Sequence, residues 1–182
     1  MPGTLPMLAL SLLQTAAGDA CAPLIPPALH SKLATELPGY QLPASADAGE
    51  QRSAELNTSG DWPCPYVVLG DFDGSETLDR ALLLKSRQAG SARLIGVQNN
   101  AGGWQITLSE EWPLALEDSE LRPKEAGLYQ REEAIRQPVE QLDQLAALQA
   151  ENTAFTAGKV NGQYAIYALV NGKWQKLILR DQ

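Results

Sequence analysis

Three aspartates carry the one cluster in this sequence with the look of a hard-cation site. Asp71, Asp73 and Asp79 stand at offsets 0, 2 and 8 within the stretch GDFDGSETLD. Closely spaced carboxylates of this kind place hard oxygens around Ca2+. With Asp71 as the first ligand, Asp73 is third, Ser75 fifth, the Thr77 carbonyl seventh and Asp79 ninth. Calcium is therefore the cofactor these residues suggest. The competing reading is a strand-connecting turn whose aspartates accept hydrogen bonds from nearby backbone N–H groups.

Other reactive side chains are sparse. His30 is the single histidine, with no cysteine or second histidine near it, and reads as an exposed helix residue. That pattern argues against a Ser-His-Asp or Cys-His engine and against a multi-histidine zinc site. Glu110 and Glu111 are adjacent and could serve as an acid/base pair, but neighbours on a strand point to opposite sides. With Glu117, Asp118 and Glu120 they form an acidic run that reads better as solvated surface. Cys21 and Cys64 lack any CxxC or metal spacing. In an exported chain two cysteines read as one disulfide, here tying the N-terminal segment to the first strand. Two buried thiols are the alternative.

The balance of charge narrows the partners. The 182 residues hold 14 Lys and Arg against 22 Asp and Glu, a net charge of −8. A nucleic-acid partner needs a basic patch that releases counterions, and none is visible. An anionic membrane surface is disfavoured for the same reason. An acidic surface suits solubility, or attraction to a basic protein.

The elements that must position these residues follow from pattern. Residues 5–13, LPMLALSLL, followed by small residues, resemble a secretory signal, too short to span a bilayer. We read 1–20 as a signal peptide and 21–182 as a single α+β domain, periplasmic or secreted, without integral membrane association. Leu29, Leu33 and Leu37 share one helical face, with Pro26 and Pro27 at the start and Pro38-Gly39 as the stop. Glu50 to Leu56 has room for a helical turn within a surface connection. Tyr66–Leu69, Leu78–Leu84, 92–98 and 104–108 read as strands of a first meander over 66–108. Trp104, Ile106 and Leu108 alternate with polar residues, as in a sheet with one wet face. Residues 109–137 read as an irregular surface segment, and Pro138 to Ala150 as a helix. Asn161-Gly162 and Asn171-Gly172 each predict a two-residue type I′ turn. They divide a C-terminal meander over 153–181 into strands 153–160, 163–170 and 173–180. Tyr164, Ile166, Ala168 and Val170 share one face of it; Ala165, Tyr167 and Leu169 share the other. Two apolar faces imply cover on both, which we assign to helices. The fold class expected is mainly antiparallel β meanders with two or three flanking helices.

At GDFDGSETLD the chain resembles the FG-GAP or VCBS type of calcium hairpin, whose usual form is GDFDGDGxxD. Gly70, Asp71, Phe72, Asp73, Gly74 and Asp79 match it. Ser75 replaces an acid, and Glu76 stands where glycine is usual, although glutamate is poorly suited to positive φ. The motif occurs once, whereas a β-propeller repeats it. The better likeness is to small exported bacterial proteins with one such hairpin and a Tyr-rich terminal pair, here YAIYALVNGKWQKLILRD. Many of those have no assigned activity.

Two functions are expected. The first is a non-catalytic exported binding or inhibitor protein, such as an immunity protein neutralising a toxic envelope hydrolase. Glu110, Glu111, Glu117, Asp118 and Glu120 would then meet a basic secreted enzyme. The alternative is a calcium-stabilised structural or envelope module.

Overall fold

A computed structural model describes residues 18–49, 64–88, 90–130, 147–160 and 162–179. The apolar run 5–13, the turn at Glu50–Leu56, residues 138–146 of the expected helix, and Asn161 lie outside the described residues.

Past Cys64 and Pro65 the chain enters the first sheet. β2 (Val67–Gly70) pairs antiparallel with β3 (Asp79–Ser86), which pairs with β4 (Ala92–Asn100), which pairs with β5 (Gly103–Trp112). A short β1 (Tyr40–Gln41) joins the end of β3. β2 to β5 make up the expected first meander, and β1 is an addition to it. The second sheet orders its strands β11-β10-β9-β6. Its members are β6 (Ser119–Lys124), β9 (Ala154–Lys159), β10 (Tyr164–Val170) and β11 (Lys173–Leu179).

The two sheets meet through aromatic side chains. Phe72, Phe155, Tyr167 and Trp174 form one cluster with ring centroids 5.1–5.6 Å apart. Trp174 lies over Gly96, where an added Cβ would sit 2.9 Å from the indole. A side chain at that position would push the sheets apart. β4 and β5 also slip register between Gly96 and Val97, a β-bulge that leaves Thr107 opposite no partner. Thr107 Oγ1 accepts a hydrogen bond from Trp174 Nε1 at 3.0 Å.

β10 has two apolar faces, and the structure covers both. Ala165, Tyr167 and Leu169 belong to the main core, while Ile166 and Ala168 join Leu148, Ala150 and Leu177 in a second cluster. The cover on that second face is not helical. It is a two-stranded piece, β7 (Gly127–Gln130) with β8 (Ala147–Ala150). Residues 147–150 thus leave the expected helix. Leu148 and Ala150 are buried while Ala147 and Gln149 are exposed, a period-two pattern that pairing with β7 imposes over local helix propensity.

Two further expectations are corrected. Among the described residues there is one α-helix, α1 (Pro27–Glu36), with three short 3-10 turns, instead of two or three helices. Leu29 and Leu33 are its buried residues, as their spacing predicts. Residues 109–130 are not irregular: β5 runs to Trp112, and β6 and β7 follow. In β6, Ser119 and Leu121 are buried while Glu120, Arg122 and Lys124 face outward. Pro123 is tolerated because β6 is an edge strand.

The two Asn-Gly turns diverge. Val170 pairs with Lys173, and Asn171 and Gly172 both have positive φ (52° and 73°), as a two-residue type I′ turn requires. At the other, Lys159 N donates to Gln163 O at 3.0 Å, so residue 159 and not 160 stands opposite 163. Gly162 N donates to Lys159 O at 3.0 Å.

Cys21 and Cys64 form a disulfide across 43 residues, and both are fully buried. It fastens the 3-10 turn Ala22–Leu24 beside the entrance to β2. A second tie lies close by: Arg80 Nε on β3 donates to Leu24 O at 2.9 Å.

Candidate functional site

The acidic turn joins β2 to β3, and its ends are in register, with Gly70 opposite Asp79. Gly70 has no room for a side chain, since a Cβ would lie 2.5 Å from Thr153 Cγ2. The turn itself needs left-handed backbone at Gly74 (φ 76°) and at Glu76 (φ 63°). Glu76 therefore adopts the conformation that the usual glycine would, at a steric cost of about 1–2 kcal/mol.

Asp71 holds this shape. Its Oδ1 accepts from Gly74 N at 2.7 Å and Ser75 N at 3.0 Å, and its Oδ2 from Glu76 N at 2.9 Å. Three amides converging on one carboxylate explain how a glutamate is held at positive φ. Asp73 Oδ1 accepts from Ser75 N, and its Oδ2 from Gln98 Nε2 at 2.9 Å. Asp79 is buried at 0% exposure. Its two oxygens accept Phe72 N at 3.0 Å and Asn99 N at 2.9 Å. Thr77 Oγ1 donates to Asn99 O at 2.7 Å and lies 2.8 Å from Ser75 Oγ. The aspartate turn is thereby stapled to β4.

Each of the three carboxylates offers one oxygen to a group lying within 4.8 Å of one another, so the cluster could hold a metal ion. Their electrostatics differ. Burial pushes the Asp79 carboxyl above its usual range; the Asn99 and Phe72 amides oppose this, and the charges of Asp73 and Asp71 add to it. Asp73, near the surface, is held below the usual range by hydrogen bonding from Ser75. A divalent cation would relieve the like-charge crowding around Asp79.

No family model, curated protein or solved structure matches this chain.

The acidic run is divided by the fold. Glu110 and Glu111 do point to opposite sides of β5. Glu110 accepts from Tyr167 OH at 3.0 Å and pairs with Lys176, linking the two sheets. Burial, then the Glu110 charge, pushes the Tyr167 hydroxyl far above its usual range. Glu111 accepts from Tyr40 OH at 3.0 Å and pairs with Arg93. Both carboxylates are thus committed within the molecule, 57 and 71 residues away from their tyrosine partners in sequence. Glu117 and Asp118 are exposed on the 3-10 turn Leu116–Asp118. Glu120 pairs with Arg122 at 3.0 Å. The partners Tyr167, Lys176, Tyr40 and Arg93 carried no sequence signal, because only strand register brings them to β5.

Proposed function

We propose that this chain is an exported, non-catalytic recognition protein that binds a basic secreted enzyme. Its place would be the periplasm or the medium, and its role that of an immunity protein against an envelope hydrolase. The observation that carries the reading is the Leu116–Asp118 turn, which presents two exposed carboxylates on a rigid base. Leu116 is buried beneath it, and Asp118 N closes the turn onto Ala115 O at 3.2 Å. Asp118 O accepts from Val160 N at 2.9 Å. Ser119 Oγ accepts from the Trp112 indole at 2.9 Å and donates to Ala115 O at 2.8 Å. Glu117 and Asp118 are therefore presented without a large ordering cost on binding. The disulfide supports the export part, since such bonds persist in oxidising compartments. Among the described residues, no helix is long and apolar enough to cross a membrane.

The test is capture of a basic protein from an envelope extract by the wild type and by Glu117→Lys/Asp118→Lys. One basic enzyme retained at low salt, lost at high salt and lost with the double variant supports the reading. Equal capture by the variant removes it.

A second reading rests on Asp71, Asp73 and Asp79, whose oxygens approach within 4.8 Å. Here the FG-GAP-like loop binds Ca2+, with Ser75 and Thr77 as further oxygen donors, and stabilises an envelope module. Saturating calcium at a hundredfold over Kd would add about 2.7 kcal/mol of stability. The gain should disappear in Asp73→Ala, whose exposed side chain lies outside the core. A wild-type melting curve indifferent to calcium and to chelator would refute this reading.

A further inference from the structure

The residues around α1 carry an inference that neither reading of the acidic side chains uses. A groove of about 330 Å³ lies between α1 and the β1–β3 corner. Its apolar lining includes Leu33 and Leu84, both almost fully buried, with Leu37 and Leu42 partly exposed beside them. Ala34 forms part of the wall, and its small side chain leaves the groove open. Among the described residues, His30 and Arg87 are the cationic side chains on the lining, and no aspartate or glutamate lines it. That is the reverse of the chain as a whole, where acids outnumber Lys and Arg 22 to 14.

Arg87 is held in place. Its backbone N donates to Gly39 O and its Nε to Pro38 O, each at 3.0 Å. Among the described residues, the two terminal amino groups of the guanidinium make no hydrogen bond or ion pair. They form a fixed pair of donors of the kind that takes a carboxylate side by side. His30 lines the same groove, and among the described residues its side chain makes no hydrogen bond or ion pair.

We propose that this groove binds a free fatty acid of medium length, with its alkyl chain along the leucines and its carboxylate on Arg87 and His30. An apolar cavity with a few convergent polar groups is the usual form of a small-molecule site. The backbone favours an alkyl chain over a peptide. The rim carbonyls already have donors: Leu33 O from Leu37 N at 2.9 Å, Leu37 O from Tyr40 N at 3.0 Å, and Pro38 and Gly39 from Arg87. A peptide would bring several amide groups against a lining whose one amide side chain, among the described residues, is Gln41, leaving most of them without a partner, which is costly. An alkyl chain brings none.

The test is isothermal titration of the full chain with decanoate and, as its uncharged counterpart, decanol. Charge-assisted bonds to Arg87 should make decanoate about ten- to a hundredfold tighter than decanol. Arg87→Gln should bring decanoate down to the level of decanol while leaving decanol unchanged. His30→Gln, on exposed helix surface, should weaken decanoate in the same selective way. Ala34→Trp should abolish binding of both by filling the groove, with the far-ultraviolet circular dichroism preserved. The proposal is overturned by no saturable binding of decanoate, by equal affinity for acid and alcohol, or by Ala34→Trp leaving affinity unchanged. Displacement of decanoate by equimolar N-acetyl-leucyl-leucine would overturn the free acid in favour of a peptide C-terminus.

Discussion

Reducing the Cys21–Cys64 disulfide should lower the melting temperature substantially while leaving the native fold in place. The bond closes 43 residues. In the chain-entropy model, closing a loop of that length removes about 4 kcal/mol of conformational freedom from the unfolded chain. For a domain of this size, 1 kcal/mol corresponds to roughly 2–4 °C. The expected fall is therefore about 8–16 °C. The folded state should survive because other contacts hold the N-terminal segment. Leu29 and Leu33 stay buried, Arg80 still holds Leu24 O, and Cys21 N still donates to Asp19 Oδ1 at 3.0 Å. The assay is thermal unfolding of oxidised and reduced protein at one pH, followed by far- and near-ultraviolet circular dichroism. Reduced wild type is a better comparison than a Cys→Ser variant, which would bury hydroxyl groups that cost free energy of their own. Two results would refute the reasoning. A melting temperature within about 2 °C of the oxidised protein would mean that the loop entropy is not what the bond removes. Loss of the near-ultraviolet signal on reduction would mean that the bond holds the native packing together.

Asp79→Ala should cost about 2–6 kcal/mol, because the buried Phe72 and Asn99 amides each lose their acceptor at about 1–3 kcal/mol apiece. Asp73→Ala should cost far less; equal losses in urea titrations would contradict the burial argument. Tyr167 has its pKa raised in the fold, so its contribution is fully present below the unfolded value near 10 and is lost as pH rises beyond it. Melts between pH 8 and pH 11 should show this alkaline loss diminished in Tyr167→Phe; identical slopes would count against it. Gly96→Val should destabilise the sandwich by about 1–3 kcal/mol, since its Cβ would meet the Trp174 ring at 2.9 Å. Tryptophan fluorescence should shift with it, and an unchanged emission and stability would show that the sheets can part freely.

Period and turn chemistry made much of the β framework legible. Strands β2 to β5 and β9 to β11 follow from runs of β-branched and apolar residues bounded by Gly, Asn and Asp, because side-chain alternation and positive-φ turns act over a few residues. The same holds for α1, whose leucines repeat at helical spacing. β6 was not legible: Ser119 and Leu121 alternate with Glu120 and Arg122, but the charges and Pro123 make the segment read as irregular surface. The aspartate cluster could be located from spacing alone, as could the disulfide from cysteine count and context. Asp71 bonding its own turn is local, and its neighbours are within five residues.

Sequence by itself thus determined the strands of the two meanders, the turn at Asn171-Gly172, and which carboxylates gather at one turn. The tertiary structure alone decided which face of β10 meets which cover, because both faces are apolar and local propensity favours a helix where β8 pairs with β7. It decided that Glu110 and Glu111 serve Tyr167 and Tyr40, that Asp79 is buried under two amides, and that Arg87 stands over a leucine groove with His30. Each of those facts depends on register between strands distant in sequence. Register is set by the packing of the whole core, and no short window of residues encodes it.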